Sequence, residues 1–232
     1  MRTIETNHLW RVNDIDIFYT NETNGGGNGL GEDYFNAVDG IYPGRVFENA
    51  LEWCSGPGFI GYAMLATGVC NRITFNDIHQ PALDMAELTK SRNPKYTDRV
   101  QIYQGATIDK IPETEQFDLV IANPPHFMSR HDAAESLGFN QIGFNIAGHI
   151  EEILVDTNWN AHINFYNSIK KRLAPDGIIL IQENQVGSKQ RSFSFSKMVD
   201  NAGLKITREF NSLEHYTENS SQQIYYIEIV HK

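Results

Sequence analysis

Residues 52–61 read Glu52-Trp53-Cys54-Ser55-Gly56-Pro57-Gly58-Phe59-Ile60-Gly61. An apolar segment leads in, and Tyr62-Ala63-Met64-Leu65-Ala66 leaves as a helix would. The pattern is strand, tight glycine turn, helix start. Glycine serves two needs there: a sharp reversal, and the approach of a ligand to bare backbone. The bend is therefore expected to hold a small molecule at the carboxyl end of a strand.

The surrounding chain repeats the same alternation. Strands are expected over 51–54, 72–77, 99–103, 117–122 and 178–182, with helices over 59–67, 80–91, 159–173 and 188–202. The 117–122 run is nearly all apolar, as a strand buried on both faces would be. Segments 204–210 and 224–230 can form a closing strand pair. Alternating strands and helices imply a parallel sheet covered on both faces, with ligand loops at the carboxyl ends of the strands. Upstream, 9–12 and 15–19 read as strands. Five glycines in Asn24–Gly31 predict a mobile loop, either a surface linker or a flap over ligand. Tyr34, Phe35 and Tyr42 would roof a ligand or pack the end of the sheet. The expected division is an extension over 1–45 and a ligand-binding domain over 46–232. Residues 125–158 interrupt the rhythm with His126, His131 and His149, a length that suits a lid or substrate loop.

With 232 residues and 41% hydrophobic content, the chain suits an ordinary globular core. No apolar run approaches the ~18–20 residues needed to span a membrane. The first residues lack the apolar stretch of a signal peptide. Two cysteines make no disulfide framework, so a cytoplasmic setting is expected. The net charge of −10 repels phosphates and disfavours a long duplex DNA partner. Lys170-Lys171-Arg172 and Lys189-Gln190-Arg191 are the densest basic runs. The histidines lack a close ligand pair, so no metal is expected.

Gly56-Pro57-Gly58-Phe59-Ile60-Gly61 also matches G-x-G-x-x-G, with Asp77 about 20 residues on, so a nicotinamide-dependent oxidoreductase is the rival reading. Glu52 opposes it. A carboxylate just before the glycines would repel a pyrophosphate but suits a ligand bearing ammonium and sulfonium charge. Asp77 can accept both hydrogens of a ribose diol, or cap the following helix. These residues resemble the first two motifs of class I S-adenosylmethionine-dependent methyltransferases, with Cys54 where the family usually has its first glycine.

Asn123-Pro124-Pro125-His126, after an apolar strand, resembles the Asn-Pro-Pro-aromatic motif of the amino-methyltransferase group. That group acts on adenine, on guanine in RNA and on glutamine side chains. The Asn123 side-chain carbonyl and the Pro124 backbone carbonyl are two acceptors that can grip both hydrogens of a planar –NH2. Prolines stiffen the loop.

The resemblance implies a Rossmann-like α/β fold, with a mostly parallel seven-stranded sheet and an antiparallel C-terminal strand. It implies S-adenosylmethionine held by Glu52, Cys54, Ser55, Gly56, Gly58, Asp77, Ile78, Ala106 and Asn123. It makes Asn123, Pro124 and His126 catalytic, with Pro125, His126 and Phe127 against the substrate. The acceptor would be an RNA base, a protein side chain such as glutamine, or a small molecule. A catalytically silent module on the same fold is the further alternative.

Overall fold

The structure, a computed structural model, describes residues 7–23, 27–137, 154–184, 192–211 and 224–232. His149, the glycines at 138, 143 and 148, and the Lys189-Gln190-Arg191 run lie outside the described residues.

The expected alternation is present. Strands β3 (Phe47–Trp53), β4 (Cys70–Asp77), β5 (Val100–Gln104), β6 (Phe117–Ala122) and β7 (Leu173–Asn184) pair in parallel. The closing strands β8 (Leu204–Asn211) and β9 (Ile224–His231) complete a seven-stranded sheet in the order β5-β4-β3-β6-β7-β9-β8. Strand β9 runs antiparallel to both its neighbours. Helices α2 (Phe59–Thr67), α3 (Gln80–Arg92), α5 (Asn160–Ile169) and α6 (Ser192–Asn201) lie near the expected places, and α4 (Arg130–Leu137) falls in the insert.

Side-chain alternation divides the core between the two sheet faces. Ala50, Leu119, Ile121, Ile178 and Leu180 enter one apolar cluster with α2 residues such as Tyr62 and Met64. Their chain neighbours Leu51, Val120, Ala122, Ile179 and Ile181 enter the other, with Phe165 and Ile169 of α5 and Phe195 of α6.

One expectation fails. Gly27–Ile41 is helix α1, so the second half of the glycine-rich run begins a helix rather than a loop. Tyr34, Ala37, Val38 and Ile41 recur at helical spacing, and the first three are buried. Gly31 has a packing reason: a Cβ there would lie 3.2 Å from Phe59 Cβ and 3.2 Å from the Trp10 ring.

The hairpin β1 (His8–Val12) and β2 (Ile15–Tyr19) is the expected upstream pair. It lies on α2 and α3 through Trp10 and Tyr19 against Phe59, and through Asn93 Oδ1, which accepts from Asp16 N–H at 3.0 Å. Ile15, Ile17 and Tyr34 enter the same cluster as Ala50 and Leu119, so the hairpin and α1 share a core with the sheet.

Candidate active site

The order β4-β3-β6 makes β3 the strand where connections depart in opposite directions, the place where open α/β sheets bind ligands. Trp53 of β3 is paired with Ala122 of β6, so Cys54 and Asn123 leave the sheet side by side. The glycine bend and the Asn-Pro-Pro corner border one cavity of about 490 Å³, within the usual range for small ligands.

The bend is built from backbone. Cys54, Gly56 and Gly58 have φ of 54°, 53° and 85°. Cys54 thus takes the left-handed conformation that glycine adopts without cost, which explains a glycine preference at that step. At Gly56 no atom lies within 4 Å of a would-be Cβ, so the bare backbone faces open space. At Gly61 a Cβ would come within 2.6 Å of Glu52 Oε2 and of Phe75. That third glycine exists to admit a carboxylate under the helix. The match to a dinucleotide motif has this other cause.

Glu52 is 2% exposed, and its Oε2 accepts the Gly61 N–H of α2 at 2.7 Å. A helix N-terminus favours the anion, but burial outweighs it, and with the Asp77 charge lifts the carboxyl to about 8. Asp77 accepts from Gly56 N–H at 2.7 Å through Oδ2 and from His79 N–H at 2.8 Å through Oδ1. It ties the bend to the start of α3, where His79 is the N-cap. Each carboxylate oxygen keeps a further lone pair for a ligand hydroxyl.

Of the nine residues expected to hold the cofactor, eight line the cavity; Gly58 does not. Ile78, 62% exposed, offers an apolar surface there. The cavity fits a nucleoside-bearing cation. Two acceptors in its wall, Asn76 Oδ1 and Asn123 Oδ1, are buried with no hydrogen-bond partner among the described residues. Buried polar atoms are normally paired, so both mark places for donors from a ligand.

The acceptor corner differs in part from expectation. Pro125 lines the cavity, but His126 and Phe127 do not. Phe127 is buried with Ala133, Leu154 and Val155, and it exchanges backbone bonds with Leu154 and Asp156. The ring therefore anchors the insert rather than stacking in the cavity. His126 turns its Nδ1 to Glu183 Oε2 at 3.3 Å.

Three residues escaped sequence reasoning. Glu183 Oε1 lies 3.1 Å from His162 Nε2, and His162 Nδ1 lies 2.6 Å from Asp156 Oδ2. The other Asp156 oxygen accepts Ala161 N–H at 2.9 Å, and Asp156 lines the cavity. The two carboxylates raise His162 to about 9 against the opposing effect of burial. Asp156 and Glu183 are held below their ordinary values by the histidines, although burial opposes this. No spacing rule links positions 126, 156, 162 and 183. The one available signal was two ionisable residues, His162 and Glu183, within otherwise apolar helix and strand patterns.

Residues 42–141 match the methyltransferase small domain family. The chain is 25% identical over 163 residues to the release factor glutamine methyltransferase of Clostridium acetobutylicum, covering 68% of this chain and 53% of that protein. It is 29% identical over 149 residues to the tRNA1(Val) (adenine(37)-N6)-methyltransferase of Actinobacillus pleuropneumoniae, covering 61% and 56%. The chain thus spans about half the length of these curated relatives. The glycopeptide N-methyltransferase MtfA, solved with S-adenosyl-L-methionine, shares the fold with a TM-score of 0.56 at 13% identity, over 86% of this chain and 94% of that one. The matched domain and the strand order make the chain similar to S-adenosylmethionine-dependent methyltransferases, whose fold it shares.

Proposed function

We propose that this chain transfers a methyl group from S-adenosylmethionine to a planar amino or amide nitrogen. The observation that carries the reading is Asn123 Oδ1, a buried acceptor with no partner among the described residues, in the wall that also contains Glu52 and Asp77. When bound, the sulfonium supplies an electrophilic methyl group.

The remaining work is done by this chain's own residues. Glu52 and Asp77 receive the cationic and ribose ends, and the bare backbone at Gly56 allows close approach. Asn123 Oδ1 and the Pro124 carbonyl accept the two N–H bonds of the substrate amine. That favours a pyramidal nitrogen with its lone pair free to attack. Held reactants can gain about 7–11 kcal/mol from orientation alone, so no strong base is required before transfer.

The relatives' names point to glutamine side chains and to adenine in tRNA. The net charge of −10 favours a protein amide over naked RNA, because it repels a polyanion. A cytoplasmic setting belongs to the same proposal and is supported by two free cysteines, Cys54 and Cys70. Among the described residues no helix is long and apolar enough to cross a membrane.

Labelled-methyl transfer onto fractionated protein and RNA from the source cell tests the reading. Label on a glutamine side chain is the expected result, and label on an RNA base would move the acceptor class. Titration against both cofactors accompanies it. Tight NAD(P) binding with no heat from S-adenosylmethionine would end the methyltransferase reading.

A further inference from the structure

Asn76 precedes Asp77 at the carboxyl end of β4 and lines the cavity together with Gly105 and Ala106. The residue is 1% exposed. One end of its amide is fixed by what surrounds it. The Tyr103 carbonyl lies 3.2 Å from Nδ2 and the Thr107 carbonyl 3.4 Å. Carbonyls accept only, so that end must be the –NH2, and both its hydrogens are engaged. The other end, Oδ1, is then an acceptor, buried and with no hydrogen-bond partner among the described residues.

Backbone holds this amide in place. Ser55 N–H donates to the Asn76 carbonyl at 3.2 Å, and Gly105 N–H donates to the Asp77 carbonyl at 2.9 Å. A Cβ on Gly105 would come within 2.8 Å of the Thr107 carbonyl, so glycine lets the loop after β5 close tightly there. Ile78 and Ala106 give the cavity an apolar wall beside it, and Asn76 adds an acceptor whose direction is set.

A spare buried acceptor requires a donor. The ligand proposed for this cavity has three kinds: an ammonium, ribose hydroxyls and the exocyclic amine of its adenine. Glu52 answers the first by charge, and the Asp77 carboxylate answers the second. Asn76 adjoins Asp77 and lies on the β5 side of the sheet, away from β6 and Asn123. The ring nitrogens of the adenine edge only accept. We propose that Asn76 Oδ1 reads the exocyclic amine and makes the cavity selective for adenine over oxopurine nucleosides. The inference rests on the methyltransferase reading for the identity of the ligand. Guanine and hypoxanthine carry a carbonyl oxygen at the corresponding carbon, so two acceptors would face each other. The amide cannot flip to relieve them, because its oxygen would then meet the Tyr103 and Thr107 carbonyls. Selectivity comes from a locked amide, with no charged group involved.

Calorimetry on the full chain tests this through binding alone. The ligands are S-adenosyl-L-homocysteine and its hypoxanthine counterpart, S-inosyl-L-homocysteine, which differ only along the base edge. The wild type should bind the adenine ligand about 5- to 150-fold more tightly, the range for leaving a buried polar group unpaired. Asn76→Ala should remove most of that difference. A purely structural Asn76 predicts another outcome: its loss would weaken both ligands alike and leave their ratio unchanged, and that result would overturn the proposal. Equal affinities in the wild type would overturn it as well. Should Asn76→Ala fail to fold, carbon NMR of the Asn76 side-chain carbonyl in the wild type decides. Its signal should move on addition of S-adenosyl-L-homocysteine and far less with the hypoxanthine ligand, whereas an identical response to both would count against the assignment. A wild type that binds neither ligand would end the methyltransferase reading itself, and this assignment with it.

Discussion

The two sides of the cavity are built by different means. On the glycine side, backbone does the holding: Gly61 N–H meets Glu52, and Gly56 and His79 N–H meet Asp77. On the Asn-Pro-Pro side, side chains hold one another: Glu183 binds two histidines, and Asp156 grips His162. The first arrangement spans 28 residues of chain, from Glu52 to His79. The second draws on β7, α5 and the end of the insert. Ligand charge is met by a bend any sequence with the right spacing can make. The side chains on the other side are brought together only by this topology.

The contrast can be broken where its largest effect is expected. Asn123→Ala would remove one of the two acceptors proposed for the substrate N–H bonds. By analogy with the loss of one preorganised hydrogen-bonding group, methyl transfer should fall about 100- to 1,000-fold. Calorimetric affinity for S-adenosylmethionine should change far less. Equal losses in rate and affinity would show that the two sides are not separable.

Gly61→Ala attacks the other side. A Cβ within 2.6 Å of Glu52 Oε2 and Phe75 must displace one of them. The expected cost is about 3 kcal/mol in chemical denaturation, the upper end of the overpacking range. Cofactor affinity should fall with it. A variant as stable as the wild type would mean Glu52 can leave its seat freely.

Glu52 sharpens the comparison through pH. Its carboxyl is raised to about 8 by burial, with a contribution from Asp77, from an ordinary value of 4.5. The folded state therefore holds a proton that the unfolded state has lost, so stability falls as pH rises between those values. The slope approaches 1.4 kcal/mol per pH unit, giving roughly 2 kcal/mol between pH 6 and 8. Denaturant midpoints against pH should show it, and Glu52→Gln should flatten it. His162, raised to about 9 by its two carboxylates, adds a loss of the same sign. Its stabilisation is complete below about 6.5 and gone once pH passes the folded value. A cationic ligand should expel the Glu52 proton, detectable as buffer-dependent binding heat.

The smallest effect belongs to Cys54→Gly. Relief of a left-handed backbone at φ 54° gains about 1–2 kcal/mol. Glycine's greater freedom in the unfolded chain offsets about 0.5–1 of that. A thermal-melt gain of between zero and about 1.5 kcal/mol is expected.

The same contrast explains what the sequence discloses. Glu52, the glycines and Asp77 are read by local spacing, and Asn123-Pro124-Pro125 by its place after an apolar strand. The parallel sheet follows from the βα rhythm, whereas its strand order is seen only in the structure. The Glu183–His162–Asp156 chain has no local signature, because its members meet only after the sheet has formed. The resemblance sets His126 against the substrate, and no sequence rule shows that its Nδ1 is turned to a buried partner. Gly27–Ile41 was hidden for a different reason. Glycine content argues for a loop, while Tyr34, Ala37, Val38 and Ile41 keep helical spacing, and buried packing outweighs propensity.

Tyr34 has one more effect. Its hydroxyl accepts the Ala122 N–H and donates to the Leu180 carbonyl, lying as a wedge between β6 and β7 just ahead of Asn123. Helix α1 thereby pins the end of β6 from which the Asn-Pro-Pro corner leaves. Trimming the chain before residue 46 would leave the glycine bend intact on paper while unfastening the opposite wall. A shortened version that still gripped the nucleoside could thus be unable to present its partner amine, and catalysis would be severed from binding by a cut far from either motif.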